Sequence, residues 1–395
     1  MKSKFRKTRI LTFIVLLSAF FGRSKAQSAD PSTAKPPLLS TLKAITIELS
    51  YSEKAPPPGL ATLFHHFEVI DERPDTARIG VHADRGLRLV GARNKQLVFN
   101  KPAELEIESF LNARFTRPGA PCGALVVIRT LWLSDANNIR EDIVKDPEKN
   151  EEKTKIRLKA EIYAEKDGWY TPLYRFDSLQ ISLRKGLNLG TNFGSDLSDM
   201  LEEMADSATL LLGEKGQEGR KISRADILQF NQSRFALPIC QGGPFVKGAY
   251  MTFQEFRDNA PSVSDCEIKK DKGDIILYVK ESGDKSYYSH TAWGYCDGKT
   301  VYVMKDGMLI PAWKEGKAWY LFSRAQNYDP SKHQDEGFTL DPGQASMPPS
   351  SIGAPVPGDV MHGTGGVVGN GLIGAKGPGT QLHIFTVDMD TGKLY

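Results

Sequence analysis

The chain has 395 residues, 51 basic and 48 acidic, a formal net charge of +3, 40% hydrophobic residues and 25% charged ones. That composition excludes a collagen, a polytopic membrane protein and a wholly disordered chain. Length alone points to two or three domains.

The N-terminus carries Lys2, Lys4, Arg6, Lys7 and Arg9, then an apolar run of twelve residues from Ile10 to Phe21, then small residues at Ser24 and Ala26. Basic head, short apolar run and small-x-small spacing form a secretory signal, expected over residues 1–26. As a helix the run would span about 18 Å, short of a bilayer core of about 30 Å. No cysteine follows it, so no lipid-modified N-terminus is expected. Removing its seven basic residues leaves 44 basic against 48 acidic residues, a net of −4. The basic surplus is therefore a targeting device and no argument for nucleic-acid binding. An exported protein of the periplasm or cell envelope follows, touching a membrane only indirectly once the signal is cleaved.

Residues 27–43 are rich in Ser, Pro and Lys and read as a linker. Residues 44–213 read as an α+β domain with a sheet of five or six strands and two helices on one face. Ala44–Tyr51 alternates as a half-buried strand, and Phe67–Ile70 is a second strand running into Asp71, Arg73 and Asp75. A hairpin is expected from Leu87–Val90 and Leu97–Phe99. Pro102–Phe115 predicts a helix with Ala103, Ile107, Phe110 and Leu111 on one stripe. Gly123–Leu133 is apolar throughout and predicts a central strand. Residues 140–155 are a charged loop, followed by strands over Ile156–Ala164 and Leu179–Leu183. Ser195–Leu212 is strongly periodic and predicts a helix capped by Ser195 and closed by Gly213.

Residues 214–233 form a connector with a short helix that Ser223 can cap, Ile222 and Ile227 having staple spacing. A β-rich domain is expected over 234–325. Residues 245–325 hold 14 aromatics, about 17% against 9% for the chain. Strands over Ile275–Lys280, Ser286–Tyr295, Thr300–Met304 and Ala318–Phe322, with Asp297-Gly298 and Asp306-Gly307 turns, predict a small β-meander. Residues 326–380 are a Gly/Pro-rich flexible tail, and 381–395 a terminal hairpin.

The chemistry-bearing residues do not assemble into a known constellation. Gly369, Gly371 and Gly374 match a dinucleotide fingerprint by letter but lack the strand before and the helix after. Ser40-x-x-Lys43 lacks its partner motifs. The seven histidines show no ligand spacing, and His65 and His66 should point to opposite faces of a strand. No catalytic, cofactor-binding or metal residue is therefore assigned. Asp388-Met-Asp390-Thr-Gly392 has half of a calcium loop without its third ligand or its closing Glu, and a type I turn with Gly in the left-handed position is the reading preferred. Asp71, Arg73 and Asp75 form a structural charge cluster in which Asp and Arg can pair bidentately. Export permits a disulfide, expected from Cys240 to Cys266 or Cys296, with buried thiols as the alternative. Tyr287, Tyr288, Trp293, Tyr295, Trp313, Trp319 and Tyr320 are candidates for a sugar-stacking face, with Trp293 and Tyr295 on one side of their strand; core packing, which a small β-domain needs, is the default use.

Three segments carry a resemblance: Gly248-x-Tyr250-x-Thr252-Phe253-x-Glu255-Phe256, then Trp293-Gly294-x-x-Asp297-Gly298-Lys299, then the terminal Asp388-x-x-Thr391-Gly392-Lys393-x-Tyr395. With them, the chain resembles a group of uncharacterised exported proteins of Bacteroidota-type bacteria. The first domain more loosely resembles small α/β domains of envelope lipoproteins, through Asp71-x-Arg73 and Ile79-Gly80, though without the lipid-acceptor cysteine. The resemblance implies an envelope location and brings no catalytic residue. The expected function is that of a non-catalytic envelope protein that binds or scaffolds another envelope component. The partner would be a protein or a glycan, and no cofactor is expected. A glycan-binding module or an unrecognised hydrolase built on the second domain is the alternative.

Overall fold

The computed structural model describes residues 39–50, 63–84, 93–135, 153–183, 189–215, 219–271, 274–280, 286–305, 307–324 and 382–395. The signal segment, most of the linker, the turn at Pro56–Gly59, the strand expected over Leu87–Val90, most of the charged loop and the Gly/Pro-rich tail lie outside them. Among the described residues no helix is long and apolar enough to cross a membrane. Leu38–Tyr395 is one compact unit.

The protein is a mixed α+β structure, mostly β. Its first layer is a seven-stranded sheet: β1 (Ala44–Thr46), β2 (Phe64–Asp71), β3 (Gly80–Asp84), β4 (Arg93–Val98), β5 (Cys122–Asp135), β6 (Lys153–Lys166) and β7 (Trp169–Leu183). The alternation pattern gives five or six strands. The strand expected over Ala44–Tyr51 is the three-residue β1, parallel to β4, and β3 is a strand the alternation does not mark. The order is β1-β4-β3-β5-β6-β7, with β2 also on β5. The apolar run of β5 is central, as its composition requires. One of its edges carries β6 antiparallel, and the other is shared by β2 and β3, both parallel to it. Gly80 is required at the β3 contact, because a Cβ there would lie 2.0 Å from the Leu133 carbonyl oxygen.

Helices α1 (Ala103–Phe115) and α2 (Leu189–Lys215) cover one face of this sheet in a single apolar cluster. Ile107, Phe110 and Leu111 of α1 pack there on Phe64, Val126 and Leu201. α2 starts six residues before the Ser195 cap and runs past Gly213. Its early turn survives a glycine because Gly194 meets the backbone of Glu48, where a Cβ would sit 2.0 Å from the carbonyl oxygen.

The opposite face is covered by α3 (Arg224–Ser233) and by a C-terminal β layer. Ser223 and Asp226 form a capping box on α3, and Ile222 and Ile227 bury against Leu125 and Tyr163 of the sheet. The β layer has a six-stranded antiparallel sheet. It comprises β8 (Gly248–Tyr250), β12 (Gly294–Cys296), β13 (Val301–Lys305), β14 (Met308–Glu315), β15 (Ala318–Arg324) and β16 (Leu382–Thr386). A three-stranded sheet of β9 (Cys266–Asp271), β10 (Asp274–Lys280) and β11 (Ser286–Tyr288) packs on it, and α4 (Phe253–Arg257) closes one end. β12 to β15 run as a meander. The single strand expected over Ser286–Tyr295 is two strands in different sheets, separated by a bend at Trp293.

Candidate functional site

The face of the large sheet away from α1 and α2 is unusually polar for a buried surface. Alternation along β6 sends Ile156, Leu158, Ala160 and Ile162 to the helices and Arg157, Lys159 and Glu161 to the other side. Arg129 joins them by the alternation that puts Leu125 and Val127 on this face, and the β5–β6 register skips one residue there, between Ile128 and Thr130. Arg129 Nη1 donates to Glu161 Oε1 at 2.5 Å, Arg175 Nη2 donates to the same oxygen at 2.7 Å, and the Tyr163 hydroxyl donates to Glu161 Oε2 at 2.9 Å.

The C-terminal turn docks onto this face. Asp388 accepts from the Asp390 backbone N–H at 2.9 Å and from the Thr391 hydroxyl at 2.9 Å, and Gly392 takes a left-handed φ of 75°. The other side of the turn faces the sheet. Lys159 pairs with Asp388, Arg234 of the α3 end holds Asp390 with two bonds at 3.0 and 2.8 Å, and Arg129 reaches the same carboxylate at 3.4 Å. Tyr395 is buried, its ring lying under the Arg157 guanidinium at 5.0 Å.

Electrostatics set what these groups can do. Burial alone would raise the Glu161 carboxyl, but Arg129, Tyr163 and Arg175 outweigh it and hold the carboxyl below its usual range. Asp388 is held down in the same way, Lys159 outweighing burial. A general acid at neutral pH needs the opposite shift. These carboxylates stay ionised and act as anchors. The cleft between the two layers, lined by Arg73, Arg129, Trp132, Arg234, Tyr320 and Tyr395, has about 30 Å³ of interior room. That admits a water or two and no sugar ring. A larger groove of about 460 Å³ runs between residues 76–79 and 98–104. Of its charged groups, Arg78 is already paired with Asp75 and Glu315.

The Asp71, Arg73 and Asp75 cluster sits where the edge of β5 passes from β2 to β3. Arg73 makes a bidentate pair with Asp71 at 2.7 and 2.6 Å and donates to the Arg78 carbonyl at 2.7 Å. Asp75 accepts from Tyr320 of the β layer and pairs with Arg78 at 3.1 Å.

The aromatic face is corrected. Tyr295, Trp319 and Tyr320 are 3%, 1% and 1% exposed, and of the seven only Tyr287 is largely exposed. Trp293 stacks on Phe256 at 4.4 Å, Trp313 meets Phe322 edge-on at 5.2 Å, and the Tyr288 hydroxyl donates to the Gly307 carbonyl. Trp293 and Tyr295 do not share a side. Trp293 precedes β12 and packs with Phe253, whereas Tyr295 enters the cluster around Leu277. A thin β layer builds its core from its largest apolar side chains, and here that takes the aromatics.

The disulfide is corrected too: Cys240, Cys266 and Cys296 are free thiols. Cys266 lies with Leu277 and Tyr295, while Cys296 lies in another cluster with Tyr250 and Trp319. Burial raises all three thiols, which makes them weak nucleophiles.

Two further groupings are not visible from residue spacing. The three segments that carry the family resemblance meet in one core: Phe253 and Phe256 pack on Trp293, and Trp293 Nε1 donates to the Gly392 carbonyl at 3.4 Å. His65, His66 and Glu165 also converge, with one ligand atom from each within 4.8 Å of the others. The opposite-face expectation for the two histidines fails because β2 is bulged there, its register on β5 shifting between Phe64 and Phe67. The signal was present in the sequence. Phe64 and Phe67 are both core residues, and two core residues three apart on a strand require an inserted residue between them.

No family model and no curated protein matches the chain. Among solved structures, the crystal structure of protein XCC0632 from Xanthomonas campestris, of family-model DUF330, is similar at 12% identity with a TM-score of 0.29, over 45% of this chain and 100% of that one. A likeness of that size carries no argument about function.

Proposed function

We propose that the protein is an exported, non-catalytic envelope protein that binds another envelope component through the outer edge of β7. The observation that carries this reading is that edge itself. Beyond Tyr170, which Ile222 bridges with two backbone bonds, no strand among the described residues pairs with it, and Leu173–Leu183 runs on for 11 residues, about 36 Å of backbone. Trp169, Leu179 and Ile181 stand on it 49%, 43% and 56% exposed. Long apolar edges are ordinarily covered or charged, because they invite pairing with another chain. Lys155 and Arg157 lie opposite Ile181 and Leu179 in the register, but Arg157 is paired with Asp177, and Lys155 and Arg157 both cover the Tyr395 ring, so the exposed surface is apolar. An extended segment with apolar residues complements it, added as a further strand. The acids and bases of the neighbouring face are bonded to one another, which supports binding over catalysis. Burial of Tyr295, Trp319 and Tyr320 takes three of the seven aromatics away from a glycan-binding face.

The test is affinity capture from envelope extracts with the tagged protein and its Leu179→Lys/Ile181→Lys variant, using Leu105→Lys on exposed α1 as the control. A protein partner retained by wild type and the control and lost by the double variant is expected. Equal capture by all three, or no reproducible partner, contradicts the proposal.

A further inference from the structure

We infer that His65, His66 and Glu165 form a binding site for a divalent transition-metal ion of the zinc type. Three observations converge on it. First, the β2 bulge turns two sequence-adjacent histidines to the same side, their ring centroids 4.7 Å apart. Second, β5 provides a gap beneath them. Gly123 is the register partner of Glu165, and a Cβ on it would lie 2.3 Å from His66 Cε1, 2.8 Å from His66 Nδ1 and 3.0 Å from Glu165 Oε2. With glycine there, the imidazole and the carboxylate lie together over the β5 backbone, in space that a Cβ would make them leave. Third, the carboxylate is already oriented. Glu165 Oε1 accepts the Gly168 N–H at 3.0 Å in the β6–β7 turn, which leaves Oε2 toward the histidines. A ligand fixed by a second hydrogen bond is the usual arrangement around a bound metal.

The ligand set identifies the ion class. Two imidazoles and one carboxylate suit zinc and its neighbours and disfavour calcium and magnesium, which take oxygen ligands. Tetrahedral zinc with bonds of about 2.1 Å spaces its ligands about 3.4 Å apart, so modest side-chain rotation closes the present set. Three protein ligands leave a fourth position for water or for a donor from outside the chain. His65 is exposed and His66 and Glu165 are partly exposed, so an ion can reach the site from solvent. Bound there, it would tie β2 to β6 across β5.

The test is titration of the metal-free full chain with Co²⁺, followed by competition with Zn²⁺. One equivalent of cobalt with the visible bands of a tetrahedral site, displaced by zinc, is expected. His65→Ala/His66→Ala should abolish it, and Glu165→Gln should weaken binding about tenfold or more. Gly123→Ala, which displaces His66, should also weaken it. Circular dichroism of each metal-free variant checks that it folds. Absence of cobalt binding by wild type, or unchanged binding by the folded double-histidine variant, overturns the site.

Discussion

Asp388 and Lys159 bond across 229 residues of sequence with side chains only 2% and 8% exposed. Breaking a buried pair from one side leaves the other charge stranded, at a cost of about 3–5 kcal/mol. Asp388→Ala should therefore lose that much stability in urea unfolding, and adding Lys159→Met should restore part of it. A single variant within about 1 kcal/mol of wild type would contradict the anchoring role. The pH dependence has a definite sign. Asp388 and Glu161 are depressed in the folded state, so their stabilisation is present above their unfolded values of about 4 and is lost as pH falls through the lower folded values. Unfolding free energy should be level near neutrality and fall below about pH 4, less steeply in Asp388→Asn.

Bulges and covered edges decide which residues meet. β2 would have an open edge opposite β5, but α1 closes it: Asn112 accepts from the Phe67 N–H and donates to the Phe67 carbonyl, both at 2.8 Å, and Glu108 accepts from Val69 N–H at 3.1 Å. These bonds fix the strand just beyond the histidine bulge. Asn112→Ala should cost about 2 kcal/mol, two backbone groups losing their partner, and should speed amide exchange at Phe67 and Val69. Unchanged exchange would contradict it. Much of this level was legible in the sequence. The α1 stripe, the Ser223 cap and the central place of β5 follow from local periodicity and capping chemistry. The bulges at Arg129 and His65–His66 leave little trace in the residue pattern, because an inserted residue disturbs only one step of the alternation. Ser195 misleads as a cap because Gly194, needed for contact with Glu48, makes the helix look interrupted.

At the scale of the whole molecule, the C-terminal turn reaches Arg129 from 261 residues away, and Tyr320 reaches Asp75 from 245. Residue spacing is silent about such pairings, so it shows neither what the terminal turn docks on nor which aromatics the two layers bury. Once the layers are packed, the polar face of the large sheet is used against the C-terminal β layer, and among the described residues no strand pairs with β7 beyond the Ile222 bridge at Tyr170. Position-resolved photo-crosslinking in intact cells tests that consequence most directly, with a crosslinking residue placed at Leu179, Ile181 or Leu105 in turn. The expected result is one protein adduct formed from Leu179 and Ile181 and absent from Leu105. Adducts of equal yield from all three positions, or none from β7, would contradict binding at this edge.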